Sequence, residues 1–375
     1  MAGIAGSLVI WHDGYVRPVV LVISHASVLA ANQSVYTELS EDYDLRLVVP
    51  ARWRNDYHAG DFGFSVQAGS QATFLPVSVF FRGRAQRHLH QCAAWRVIRR
   101  QGASVLVIEE EAFSLAGAYW ALSASFQGIP FAIQAAENLE RPLPRLVRAV
   151  ERRVLRRAGL VMARSPKAAE RAIAHGARKE CVEVVAHGVD GVSTHEAKGR
   201  RGVVGYVGRL SEAKGLRDAV SAVDEAGLVL EVVGDGELRE FLDHCGPRVR
   251  TLGPMEPEKV LDFYASVSAL LVPSRTTPTW SEQFGRVIIE SLAQGTPVVA
   301  YDSGEIPWVA SETGISLVPE GDVSGLAREL LRLQDPEVAR HEGQRGREAV
   351  SRRFTNHVAA EQIRRFIEKS VSRGS

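Results

Sequence analysis

The chain has 375 residues, which is long for one core and comfortable for two domains of ordinary size. Its 45 basic and 44 acidic residues nearly cancel, so it lacks the uniformly basic body of a general nucleic-acid binder. Three cysteines, Cys92, Cys181 and Cys245, lie far apart without metal-ligand spacing, which argues against a disulfide framework or zinc knuckle and points to a reduced, cytoplasmic protein.

The segment from Ala2 to Trp11 is apolar but has no basic flank, and Asp13 interrupts it, so it does not read as a secretory signal. No run reaches the roughly eighteen apolar residues of a spanning helix. The expectation is a soluble protein, or one peripheral at the inner face of a membrane.

Residues 17–24 form a β-branched run that predicts a buried parallel strand, followed by a loop over 25–31 and an amphipathic helix to Glu41. His25 ends the strand on the side of a presumed cleft and is a candidate to touch an acceptor. A lone histidine there is more often a structural hydrogen bonder. The next strand is 45–50. Asp42-Tyr43-Asp44 imitates an Asp-x-Asp metal site, but it precedes that strand, whereas ligands of open parallel sheets gather at carboxyl ends. No metal is assigned to it.

Residues 52–81 are rich in turn residues and short strands without a readable register. A helix is expected over 84–101, then a strand over 104–108 whose end delivers Glu109, Glu110 and Glu111 as a loop into the cleft. Three adjacent acids are ordinarily solvated; Glu110 is kept as an acceptor-side candidate. The strand 130–134 ends at Glu137 and Asn138, further candidates for orienting substrate. Residues 142–157 place Leu146, Val147, Val150 and Val154 at helical spacing, with Arg145, Arg148, Arg152, Arg153, Arg156 and Arg157 over the rest. Such a helix is either a solvated face or one drawn to an anionic membrane or a phosphorylated lipid acceptor. A strand over 159–163, a helix from Pro166 and a strand over 182–186 complete the first domain, 1–190.

Residues 191–201 read as a polar linker. The second domain, 202–354, restarts the alternation with a strand over 202–208 and a turn over 209–215 that precedes a helix to Ala226. Glycines there let backbone approach a phosphate, and Arg209 and Lys214 are placed to clasp a diphosphate. Further strands over 229–233, 250–252 and 269–272 make a second α/β unit. Helices follow over 323–333, 337–352 and 357–371.

Between them lies Trp280 to Ala300, in which Glu282 and Glu290 stand eight positions apart. Glu282 falls in a loop that begins at Pro273, and Gly285 opens a helix that Gly295 ends. Eight helical residues rise about 12 Å, whereas the paired carboxylates of a glycoside hydrolase stand roughly 5 to 9.5 Å apart. The spacing argues against that acid/base pair. Two carboxylates flanking a helix N-terminus suit a long ligand with hydroxyls at both ends and an anionic middle. A nucleotide diphosphate sugar has that layout.

This stretch, with Asp302 to Pro307 after it and Gly208-Arg-Leu-x-x-x-Lys-Gly215 before it, resembles the Glu-x7-Glu signature of the family 4 retaining glycosyltransferases. The resemblance implies a GT-B fold, α/β, with two Rossmann-like domains facing across a cleft and the last helix, within 355–375, crossing back onto the first. It implies a UDP- or GDP-sugar donor and a hydroxyl acceptor in glycan, glycolipid or natural-product biosynthesis, with no cofactor and no metal. By the same likeness Glu282 holds donor-sugar hydroxyls, Glu290 the ribose, and Arg209 and Lys214 the diphosphate. Phe284, Gly285, Arg286 and Val287 complete the donor side, and Glu137 joins the catalytic set. The chain departs from the family at Val28 to Gln33, where a Gly-rich loop is usual, at Ala136 in place of a histidine, and at Trp308 in place of a glutamate. Other readings are a nucleotide-sugar epimerase of similar architecture and a catalytically silent sugar-nucleotide-binding protein. A nucleic-acid binder rests on the arginine helix alone and lacks interleaved aromatics.

Overall fold

The computed structural model of the protein describes residues 17–54, 61–193 and 201–372. The apolar N-terminal run and most of the expected linker lie outside the described residues. The chain begins with β1 (Val19–Ile23), α1 (Ser34–Leu39), β2 (Asp44–Pro50), the short β3 (Arg52–Trp53) and β4 (Phe62–Gly63), and β5 (Thr73–Val77). It continues through the short β6 (Val79–Phe80) and β7 (Leu89–His90), α2 (Ala94–Gln101), β8 (Val105–Glu111), α3 (Leu115–Phe126) and β9 (Phe131–Ala135). Then come α4 (Arg145–Arg157), β10 (Leu160–Ala163), α5 (Pro166–Ala174) and β11 (Val182–Val184).

Seven of these strands form one parallel sheet in the order β11-β10-β9-β8-β1-β2-β5. Both faces are covered, which is why β1 reads as an unbroken apolar run rather than an alternating one. Leu21 and Ile23 pack under α2, α3, α4 and α5, while Val20 and Val22 pack on the opposite side against α1.

The second lobe comprises β12 (Arg201–Val207), α6 (Leu216–Ala226), β13 (Val229–Val233), α7 (Arg239–Asp243), β14 (Val249–Gly253), α8 (Pro257–Ser266) and β15 (Val267–Val272). It closes with α9 (Arg286–Ala293), β16 (Val298–Asp302), α10 (Ile306–Thr313), β17 (Ser316–Pro319), α11 (Val323–Arg332) and α12 (Pro336–Arg353). Its six strands are also parallel, in the order β14-β13-β12-β15-β16-β17. The last helix, α13 (Asn356–Val371), returns to the first lobe, where Ala359, Ala360, Ile363 and Ile367 join the core beside Val20 and Val22. The crossing is pinned where the Val189 N–H donates to the Phe354 carbonyl and Asn356 Nδ2 donates to Asp190.

Three expectations need correction. Residues 84–93 are not helical: His88 and His90 are buried, ring against ring, next to Trp53 and Trp120, and this tertiary pinning overrides the local helical pattern. The glutamates 109–111 belong to β8 itself, with a register shift between Ile108 and Glu111, rather than to a free loop. The unplaced segment 52–81 supplies a seventh strand, β5, at the sheet edge, where Pro76 is tolerated.

Candidate functional site

The loop 273–285 leaves the carboxyl end of β15 and ends at Gly285, whose φ of 80° is a left-handed conformation that favours glycine. Across from it, Lys214 ends a single 3-10 turn and is followed by Gly215 at φ 66°. A side chain at 215 would overlap the Pro273 carbonyl oxygen, so glycine lets the two loops touch.

That contact brings Lys214 to Glu282. Lys214 Nζ lies 2.6 Å from Glu282 Oε2, and Ser274 Oγ donates to the same oxygen at 2.9 Å. The ammonium also stands 5.0 Å from the centre of the Trp280 ring. Glu282 is buried, and its backbone carbonyl accepts from Asn138 Nδ2 of the first lobe at 3.0 Å and from the Glu305 N–H. Asn138 Oδ1 is buried without a hydrogen-bond partner among the described residues. A buried acceptor of this kind is ordinarily met by an ordered water or by a donor group of a ligand.

One turn further on, Glu290 accepts from the Tyr264 hydroxyl at 3.0 Å and pairs with Arg286 at 2.9 Å. Burial, and next to it the Glu290 carboxylate, push the Tyr264 phenol well up, so it stays a donor. Arg286 Nη1 donates to Asn32 Oδ1 at 2.9 Å, a second link between lobes. It lines a small interlobe cavity with Asn32, Glu109, Arg164 and His187. Burial and these two arginines hold His187 well below its ordinary value, hence neutral.

The structure thus brings Lys214, Glu282, Gly285, Arg286 and Glu290 into one region, and Asn138 with them. Arg209 follows β12 and is exposed, its carbonyl accepting from the Tyr206 hydroxyl. Phe284 and Val287 differ from the rest: the Phe284 ring is buried against His187, Trp308 and Phe354, and Val287 packs against the same cluster, so their side chains support the loop from beneath. Glu137 is buried, ion-paired with Arg141, and accepts the Leu139 N–H. Ser274, Trp280 and Tyr264 are participants that sequence reasoning missed. Ser274 and Trp280 lie in the same loop as Glu282, which was the available signal.

The three glutamates at the end of β8 have separate partners. Glu109 accepts from Ser24 Oγ and Arg164. Glu111 accepts the N–H groups of Ala136 and Glu137, yet burial outweighs these bonds and pushes its carboxyl up to about 7. Glu110 accepts both the backbone N–H of His25, at 2.9 Å, and its Nδ1, at 2.8 Å. Burial opposes charge on both partners, but the pairing outweighs it, raising His25 and holding Glu110 far below the carboxylate range. His88 Nε2 lies 3.5 Å from the same carboxylate, and His25, His88 and Glu110 each offer a ligand atom within 4.8 Å of the others. Two imidazoles and a carboxylate are a zinc-type donor set. Here the Glu110 oxygens already accept two N–H groups of His25, whereas the buried His88 Nε2 has no hydrogen-bond partner among the described residues. Asp42 and Asp44, of the Asp-x-Asp imitation, pair with Arg364 and Arg46 on the sheet's far end.

A family model described as glycosyl transferases group 1 matches residues 201–335, and one described as a glycosyl transferase 4-like domain matches residues 30–188. A 2-deoxystreptamine glucosyltransferase of Streptomyces kanamyceticus is 31% identical over 289 residues, 66% of this chain and 73% of that protein. A D-inositol 3-phosphate glycosyltransferase of Corynebacterium diphtheriae is 33% identical over 187 residues, 43% of this chain and 41% of that protein. Among solved structures, Anabaena HepE in complex with UDP and glucose matches with a TM-score of 0.70 at 17% identity, over 94% of this chain and all of that one. A sucrose-phosphate synthase from Thermosynechococcus elongatus matches with a TM-score of 0.68 at 18% identity, covering 96% of this chain and 100% of that chain. These likenesses extend over both lobes, and the chain belongs to the group 1 glycosyl transferases of family 4, glycosyltransferases of the GT-B fold.

Proposed function

We propose that the protein transfers a sugar from a nucleotide diphosphate donor to a hydroxyl acceptor, with retention at the anomeric carbon and without a metal. The observation that carries this reading is the pairing of Lys214 with Glu282 at the start of α9. A diphosphate arriving at this loop competes for the Lys214 ammonium, and the Glu282 carboxylate is then released toward the sugar hydroxyls. Arg209, Lys214 and the N-terminus of α9 supply the positive potential on which the leaving diphosphate develops charge. Glu290, fixed by Tyr264 and Arg286, is the acceptor for the ribose hydroxyls.

The orphaned Asn138 Oδ1 beside Glu282 supports a hydroxyl-bearing ligand at the lobe boundary. HepE, the structural neighbour, binds UDP and UDP-glucose, which favours a uridine donor here as well. On the acceptor side, Glu110 fixes His25 by Nδ1, so its Nε2 is the atom left to meet an acceptor oxygen.

Thermal-shift measurements against a panel of nucleotide sugars test donor binding, because a ligand of the folded state alone raises the melting temperature. The proton coupling at the anomeric carbon of the product then tests retention. Inversion of that centre, or isomer exchange of the donor with no acceptor consumed, would overturn the reading.

A further inference from the structure

Helices α2, α3 and α4 pack side by side on one face of the first sheet, contributing Ile98, Ala121 and Val154 to a shared core. Their outer face has an unusual charge pattern. Every arginine of α2 and α4 is exposed, among them Arg96, Arg99, Arg148 and Arg152. The three helices carry a single acid, Glu151, which is buried and paired with Arg171 and His175. None of these arginines is ion-paired with a described residue. A merely solvated basic helix usually carries compensating glutamates at helical spacing; this layer has none.

The strip between the two basic helices is apolar. No residue of α3 is charged, and Phe126 at its end is 89% exposed. Trp95, Leu122 and Phe126 line one groove between α2 and α3, and Leu146 at the start of α4 is 77% exposed. Arginines alone suit any polyanion. Exposed tryptophan, phenylalanine and leucine among arginines, with no carboxylate between them, suit a surface that offers anionic headgroups and an apolar layer beneath.

We propose that the outer face of α2, α3 and α4 docks on an anionic lipid bilayer, with Trp95, Phe126 and Leu146 entering the interface and the flanking arginines on the headgroups. Docking is independent of the transferase reading, since it requires neither donor nor turnover. The test is flotation of the full chain with phosphatidylcholine vesicles, with and without phosphatidylglycerol. Recovery is expected only with the anionic vesicles and should fall as salt shortens the screening length. Arg148→Glu with Arg152→Glu should lower partitioning by about tenfold or more, and Phe126→Ser should lower it several-fold, with melting temperature and donor thermal shift unchanged in both. Equal recovery on neutral and anionic vesicles would overturn the proposal. So would full binding by the Phe126→Ser protein combined with displacement by a soluble polyanion such as RNA, which would mark the face as a purely electrostatic one.

Discussion

Lys214 and Glu282 are 68 positions apart in the chain and meet at 2.6 Å, so the cation expected for the donor diphosphate and the carboxylate expected for the donor sugar share one point in space. Glu290, by contrast, is bound to Tyr264 and Arg286. The two glutamates should therefore fail differently. Glu282→Ala removes the group proposed to act on the reacting sugar, and it should lower kcat and kcat/KM together. Glu290→Gln should chiefly raise the donor KM, about tenfold or more, for a charged hydrogen bond worth roughly 1.5 to 3 kcal/mol. Calorimetry with the nucleoside diphosphate alone checks the assignment: Glu290→Gln should weaken binding and Glu282→Ala should leave it nearly unchanged. The opposite pattern would mean that the ends of the donor are reversed.

Chelation should leave activity intact if Arg209, Lys214 and the start of α9 supply the positive charge, as proposed. Assays with EDTA, followed by added magnesium, manganese or zinc, check this. Loss of activity restored by zinc alone would move attention to His25, His88 and Glu110, the one candidate ligand cluster among the described residues.

Gly215 and Gly246 both have φ in the left-handed region, at 66° and 79°, but only Gly215 has a neighbour within reach. Alanine at either position costs about 1 to 2 kcal/mol of backbone strain. At 215 it also forces the Lys214 loop off Pro273. Gly215→Ala should therefore lose donor affinity in calorimetry as well as melting temperature, whereas Gly246→Ala should lose only melting temperature. Equal donor affinity in the two variants would show that the close approach of these loops is irrelevant to binding.

The Glu111 carboxyl, raised by burial from 4.5 to about 7, binds a proton more tightly in the folded than in the unfolded chain. Between those two values the folded state holds the extra proton, so stability falls as pH rises through this window. Glu111→Gln keeps a carbonyl to accept the Ala136 and Glu137 N–H groups but cannot ionise. Its melting temperature relative to the parent should rise from pH 5 to pH 8. A constant difference across that range would place the Glu111 titration outside it.

The parts of the fold that were legible in the sequence are those whose cause is local. Apolar runs such as 19–23 and 269–272 mark strands covered on both faces, and Gly285 marks a helix start by its own conformation. The loop 280–290 carries most of the candidate donor site in one continuous piece. What escaped was made by distance: Asn138 reaches Glu282 from 144 residues away, and the buried rings of His88 and His90 undo a helix that their neighbours favour. Helix α3 shows little helical period because Trp120, Ala121 and Ala124 are buried while Leu115 and Phe126, equally apolar, face outward. A hydrophobic pattern cannot announce a face that is greasy on the outside.

The return of α13 to the first lobe reaches into the order in which the protein is made. Val20, Leu45 and Leu47 leave the ribosome well before Ala359, Ala360, Ile363 and Ile367, which share their core. Over the time needed to translate the second lobe, at roughly 5 to 20 residues per second, the first sheet has one apolar face without its final helix. The second lobe, whose strands and helices α6 to α12 are contiguous in the chain, is free to fold in that interval. The lobe translated first is thus the one completed last, and a nascent chain stalled before residue 356 would present its open face to chaperones.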